Sequence, residues 1–364
     1  MSSSYNGGIK FSLFGESHGR GIGVVIDNLP SGESIDLEKI GEFMARRAPK
    51  KDGTSTMRNE KDIPDILSGI YEGKTTGTPL AAVIYNTDQH SADYGNISHI
   101  ARPAHADYTG FLRYNGANDP RGGGHFSGRI TAPLCFAGAV CAQILEHRGV
   151  TTGAHIRSIK GISDSAFDPV NITAVELESV KSRPFPTLSS DVENQMRELI
   201  NSARMNQDSV GGIVECAAVG YPAGIGSPML DGLENIISQL VFAIPAVKGI
   251  EFGNGFACAD LFGSENNDEF AMDNGKIVTR TNNHGGILGG ISSGEPIIFR
   301  VAFKPTPSIS RPQKSIDFKE LTEQELVIKG RHDPCIVPRA VPCVESALNI
   351  ALVSALLENN GVVI

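Results

Sequence analysis

Arg121-Gly122-Gly123-Gly124-His125-Phe126-Ser127-Gly128-Arg129 combines a flexible backbone with two arginines and an imidazole. Three consecutive glycines free the chain from side-chain bulk, so neighbouring N–H groups can close on an anion. The segment runs into Thr131-Ala132-Pro133 and a long apolar stretch. Pro133 suits a first helical turn and Thr131 a helix cap, which would aim a positive helix end at the same place. Phosphate or carboxylate binding is the chemistry this offers; a plain tight turn is the other reading. No Gly-Lys-Ser/Thr follows, so it is not a P-loop, and the glycines are wrongly spaced for a dinucleotide fingerprint.

Four further segments carry reactive side chains between apolar runs. Phe14-Gly15-Glu16-Ser17-His18-Gly19 sets a histidine between small residues, though it lacks the G-x-S-x-G spacing of a serine hydrolase. Arg102-Pro103-Ala104-His105-Ala106-Asp107-Tyr108 offers an acid/base histidine beside a cation and a carboxylate. Lys304-Pro305-Thr306-Pro307-Ser308 gives a cation and two hydroxyls in a loop stiffened by proline. Lys329-Gly330-Arg331-His332-Asp333-Pro334-Cys335 supplies a guanidinium fork and a carboxylate that can act as a base or orient His332. Each of these could equally be a surface loop or a structural ion pair. In Asn282-Asn283-His284-Gly285-Gly286-Ile287-Leu288-Gly289-Gly290, two glycine pairs suggest close approach to something flat, or else a β-bulge. The histidines are dispersed, with no H-x-x-x-H or H-E-x-x-H pattern, so no metal is expected.

The 364 residues carry a net charge of −9. That balance disfavours a nucleic-acid binder working through a global positive field. An anionic ligand must instead be held by a local cluster of cations. Arg46, Arg47, Arg102, Arg121, Arg129, Lys304 and Arg331 lie in or beside the segments above. The six cysteines form no C-x-x-C pair and mostly sit in apolar runs, which fits a reducing cytoplasmic compartment. The polar start, Met1 to Lys10, does not read as a signal peptide. No unbroken apolar run reaches the roughly 18 residues of a membrane span.

The elements that must position these groups are legible from periodicity. Helices are predicted over 36–47, 131–148, 191–205, 231–242 and 344–357, with Asp36 capping the first and Gly149 ending the second. The last is apolar all round, which suits a core or a subunit interface. Strands are predicted over 21–27, 66–71, 81–85, 210–219, 249–252, 276–279 and 297–303. Helices and strands do not alternate, which disfavours a Rossmann-type sheet and favours α+β: antiparallel sheets with helices packed on them. Segments 165–190 and 306–323 are expected to be long loops. No linker or repeat divides residues 1–364, so a single domain is expected.

Taken in order, Phe14–Gly19, Arg102–Tyr108, Arg121–Gly124, Ile244-Pro245-Ala246-Val247-Lys248-Gly249, Gly285–Gly290, Lys304–Thr306 and Gly330–Cys335 closely resemble the chorismate synthase family. The resemblance implies a β-α-β sandwich of antiparallel sheets with helices between them, assembled as a homotetramer. It implies a lyase of the shikimate pathway that converts 5-enolpyruvylshikimate 3-phosphate to chorismate by anti-1,4-elimination of phosphate and a ring hydrogen. The family requires reduced FMN, with NADPH as a reductant for some members. By the same resemblance, His18 sits near the departing phosphate, His105 stabilises the reduced flavin, and Asp333 assists proton transfer. Ser17 and Ser127 relay protons or hold groups in place. The flavin contacts fall on His125, Phe126, Ser127, Pro245, Ala246, Gly289, the run Lys304-Pro305-Thr306-Pro307-Ser308, and Arg331. Arg47 matches a position linked to NADPH or substrate; Arg102, Arg129 and Arg331 complete the substrate cations.

Two departures stand out. The family more often continues its glycine loop with Arg-Ser-Ser-Ala-Arg, where this chain has His125-Phe126-Ser127-Gly128-Arg129. A titratable imidazole would make binding more pH-sensitive, and Phe126 would pack on a ring or a neighbouring chain. The run Lys50-Lys51-Asp52-Gly53 lacks an arginine common near that point. Two other functions fit parts of the pattern: a flavin- or phosphosugar-dependent lyase acting on a different anion, and a non-enzymatic polyanion binder. The acidic balance and lack of interleaved aromatic and basic residues disfavour the second.

Overall fold

The computed structural model describes residues 3–49, 62–87, 99–328 and 333–359. Two five-stranded antiparallel sheets enclose a layer of helices. In the first sheet the spatial order is Ser4–Asn6, Lys10–Gly15, Gly21–Asp27, Leu80–Tyr85, Asp65–Ser68. In the second it is Val247–Phe252, Ile297–Phe303, Gly212–Val219, Thr151–Ile159, Ile162–Ser163. The β-α-β arrangement is the one the resemblance implies.

Alternation sets the first sheet against the helices. Ile22, Val24 and Ile26 are buried while Val25 between them is exposed, the signature of a strand covered on one side. Thr131–Glu146 lies on that sheet, Val337–Glu358 lies on the second, and the two helices meet in the middle. They meet closely: a Cβ on Gly138 would stand 2.3 Å from the Cβ of Ser346, so glycine is required there. Leu37–Arg47 packs on both, and its start is capped as expected, the Asp36 carboxylate accepting from the N–H groups of Glu38 and Lys39.

Several expectations need correction. Thr131 is not a cap; it is the first residue of its helix, and its hydroxyl donates to the Gly128 carbonyl. The last helix begins at Val337, before the predicted start, with Pro338 in the first turn, where a missing N–H costs nothing. Its residues Val344 to Ala355 are buried inside the chain, so this helix is core rather than a subunit face. By length and composition, Gly128–Glu146 and Val337–Glu358 could each cross a bilayer, but 89% of each apolar window is buried in the fold. The expected loop 165–190 contains the helix Ala174–Lys181, held by a Thr173–Glu176 capping box. The expected loop 306–323 contains a strand, Gln313–Asp317, paired with Thr322–Leu326. Thr151–Ile159 was not predicted because it is buried on both faces and shows no alternation.

Candidate functional site

The glycine loop is a tight turn, Arg121–Phe126, broken by φ values of 61°, 89° and 54° at Gly122, Gly123 and Gly124. These are left-handed conformations that favour glycine. Close approach adds a second demand. A Cβ on Gly122 would lie 2.5 Å from His18 Nε2 and 3.1 Å from Ser17 Oγ. One on Gly123 would lie 3.1 Å from His105 Nε2 and 3.7 Å from Arg102 Nη2. The loop therefore threads between the two histidine segments. The Ser17 N–H donates to the Gly124 carbonyl at 3.1 Å, locking the first segment to it. The glycines thus serve to bring two imidazoles together, beyond the anion nest the sequence suggests.

The His105 segment faces a cavity of about 820 Å³, at the upper end for a site holding a drug-sized ligand. Of the residues singled out above, Arg47, Arg102, His105, His125, Phe126, Ser127, Arg129, Pro245, Ala246, Lys304, Thr306, Pro307, Ser308 and Asp333 line it. His18 and Ser17 stand behind Gly122, itself a lining residue. Pro305 and Gly289 are not part of the wall; Gly289, at φ 62°, turns a short hairpin, Ile287–Leu288 with Ile291–Ser292. The paired glycines around it approach other backbone, Gly253, Pro296 and Ser227, rather than the cavity. Arg331, His332 and the run Lys50–Gly53 lie outside the described residues.

The cations are held by carboxylates within the chain. Asp62, which the sequence analysis missed, receives Arg47 Nη1 at 2.6 Å and also Arg129 Nη1. Arg47 further donates to Thr131 Oγ1 at 3.1 Å and the Gly128 carbonyl at 2.9 Å. Burial pushes the Asp62 pKa up, but the two guanidiniums outweigh it and hold the carboxyl below its ordinary value. Arg339, also missed, donates to Asp333 Oδ2 at 2.7 Å and to the Arg47 carbonyl at 3.1 Å. Neither residue announces itself in a local pattern, because each acts through partners distant in sequence or across a helix start. Arg46 does not join the cluster. It forks onto the buried Glu345 carboxylate, with Nη1 at 2.7 Å from Oε2. Arg121 is half-exposed and paired with Asp119 at 2.7 Å.

His105 Nδ1 sits between a donor and an acceptor, with Arg102 Nη2 at 3.2 Å. Asp107 Oδ1 lies 2.7 Å from His105 Nδ1. The carboxylate, at the shorter distance, favours a proton on Nδ1, and Nε2 is left toward Gly123. Asp107 also accepts from Arg102 Nη2 at 2.6 Å and Nε at 2.7 Å. Burial opposes its charge, yet these bonds hold its pKa far below the carboxylate range. Lys304 donates to the Ala104 carbonyl at 2.9 Å; burial and then Lys248 lower its pKa. The Thr306 hydroxyl beside it is buried with no partner among the described residues, as is Ser17 Oγ. His125 Nδ1 donates to the Gly15 carbonyl at 2.7 Å, and Nε2 meets Ser3 Oγ. Phe126 packs on this chain's own Tyr114 at 6.2 Å and over Gly110.

Two imidazoles flank a glycine loop beside a cavity walled by paired arginines, inside an α+β sandwich. The profile of the chorismate synthase family matches residues 9–357. The chorismate synthase of Pyrococcus abyssi is 46% identical over 349 residues, covering 96% of each chain. That of Thermococcus gammatolerans is 44% identical over 354 residues, covering 97% of each. A solved crystal structure of a chorismate synthase superposes with a TM-score of 0.77 at 29% identity, covering 97% of this chain and 93% of the other. The chain belongs to the chorismate synthase family.

Proposed function

We propose that the chain is a lyase of the shikimate pathway that takes 5-enolpyruvylshikimate 3-phosphate to chorismate with reduced FMN bound in the same cavity. The observation that carries the reading is the convergence of His18 and His105 on adjacent glycines at the wall of an arginine-lined cavity. The substrate has two carboxylates and a phosphate, and burying them requires cations fixed in advance.

The residues present fit a flavin. Pro245, Ala246, Ile244 and Leu240 offer an apolar wall for a ring. Lys304 and the unpartnered Thr306 hydroxyl offer donors for a phosphate. His125, Phe126, Ser127, Pro307 and Ser308 line the same space, and Arg331 would join by family position. When bound there, reduced FMN would supply electron density and an acceptor for the ring hydrogen. The protein's own part is charge and proton placement. His18 holds a proton toward the departing phosphate. Arg47, Arg102 and Arg129 orient the anions and favour the charge that develops there. His105, positioned at Nδ1 by Asp107 and Arg102, would steady the reduced flavin. Asp333, steadied by Arg339, accepts or holds a proton near the reacting ring. We assign Arg47 to substrate, because it faces the cavity from a buried position. The homotetramer is what the family resemblance implies; exposed Phe256, Phe262, Phe270, Met272 and Ile277 offer apolar surface for contact with further copies.

The test is an anaerobic assay with chemically reduced FMN and the enolpyruvyl substrate, following chorismate and phosphate together. His18→Ala, His105→Ala and Asp333→Ala should each lower turnover by roughly 100-fold or more. A parent that releases no chorismate removes the proposal. A second run with NADPH and oxidised FMN reads whether the chain reduces its own cofactor.

A further inference from the structure

Cys135 and Cys343 face each other between the two central helices. Their sulfurs are 3.7 Å apart, the Cys135 thiol donating to Cys343. Cys135 and Cys343 each lie three residues before Gly138 and Ser346, the point where the helices nearly touch. The helices thus run in the same direction through this contact, which carries the two cysteine backbones together as well. Cys343 lines the cavity, whereas Cys135 lies behind it, fully buried. A small oxidant arriving through the cavity meets Cys343 first.

We propose that this pair is a redox-sensitive device: hydrogen peroxide oxidises Cys343, Cys135 resolves it as a disulfide, and turnover stops until a thiol reductant restores the pair. In the first step the Cys343 thiolate takes one oxygen from peroxide, giving a sulfenic acid and hydroxide. In the second the Cys135 sulfur attacks that sulfur, a disulfide forms, and water leaves. The sum is two thiols and one peroxide giving one disulfide and two waters. Dioxygen generates peroxide from any reduced flavin; only this source rests on the cofactor reading, and the thiol chemistry does not.

The surroundings single out Cys343. The bond from Cys135 lowers its pKa, against burial, to about 7, with help from Arg47, Thr131 and Arg339. Cys343 is therefore the buried cysteine most disposed to react as a thiolate. Cys135 goes the other way, raised by burial and by its bond to Cys343. Burial raises the buried Cys141, Cys216 and Cys335 as well, the last to about 12. The consequence for the site follows from the neighbours. Cys343 Sγ also donates to the Arg339 carbonyl at 3.4 Å. Drawing the sulfur toward Cys135 loosens its contacts to Thr131 and Arg339, which hold Arg47 and Asp333.

The experiment uses the full chain carrying Cys258→Ser, which removes the exposed thiol. Protein is treated with hydrogen peroxide, unfolded in an alkylating agent, and mapped by peptide mass. The expected result is a Cys135–Cys343 disulfide in most chains. Turnover should fall by about 10-fold or more and return with dithiothreitol. In Cys135→Ser the disulfide is absent, Cys343 advances to sulfinic acid, and dithiothreitol restores nothing. The proposal is overturned if both thiols remain alkylatable after peroxide, or if Cys135→Ser still loses and regains activity. A chain that never makes chorismate counts against the function alone, and the mass map still decides the disulfide.

Discussion

Gly122 stands against His18 so closely that a single methyl group would overlap the ring, 2.5 Å from Nε2. The same residue has φ 61°, which an L side chain resists. Gly122→Ala should therefore move His18 or the loop, and an ångström-scale shift of an acid/base group costs about 100-fold in turnover. Gly128→Ala is the control, since its Cβ would meet nothing within 4 Å. Equal turnover for the two variants in the anaerobic assay would show that the close approach has no catalytic consequence.

Asp62 is the only described carboxylate bonded to Arg47 and Arg129 together. Asp62→Asn leaves two buried guanidiniums without their counter-charge, at a cost of about 3 kcal/mol. An anion in the cavity would replace part of that charge. Thermal unfolding with and without inorganic phosphate should show a larger upward shift of Tm in the variant than in the parent. A smaller shift would mean that the arginines do not present their charge to the cavity.

These two residues also mark what a sequence can and cannot reveal. His18, His105 and the triple glycine are legible because glycines, prolines and titratable groups sit in short polar islands between apolar runs. Helix 37–47 is legible through Asp36 and the spacing of Ile40 and Met44, both buried. Asp62 and Arg339 are not, since an ion pair between distant segments leaves no local period. Strand 151–159 escapes because burial on both faces erases alternation. Gly289 stays ambiguous for a related reason: a glycine needed for a hairpin turn reads the same as one cleared for a ligand.

Asp107 anchors both Arg102 and His105, and its pKa is held far below the ordinary carboxylate range despite burial. A depressed carboxylate contributes stability above its unfolded pKa of about 3.9 and loses it as pH falls through the folded value. Asp107→Asn should thus be less stable by about 3 kcal/mol at neutral pH. Urea unfolding should show that gap unchanged from pH 7 to about 5, then closing in stronger acid. A gap that closes near neutrality would point to a different group.

His155 lies inside the second sheet's outer face, with Nε2 2.9 Å from Glu215 and Nδ1 3.7 Å from Asp164. Arg300 stands 3.9 Å from the other Glu215 oxygen, and Phe167 packs on the imidazole at 4.4 Å. Burial disfavours the imidazolium, but the two carboxylates outweigh it and raise the pKa. A raised histidine stabilises the fold fully below its unfolded pKa of about 6.5 and stops doing so as pH climbs through the folded value. The parent should accordingly lose urea stability between neutral and alkaline pH, as the imidazolium discharges between two buried acids. His155→Gln, which has no charge to lose, should be less stable in mild acid and draw level with the parent above that range. Parallel pH profiles for the two proteins would show that the imidazole stays neutral in the fold and that its carboxylate neighbours are balanced by Arg300 alone.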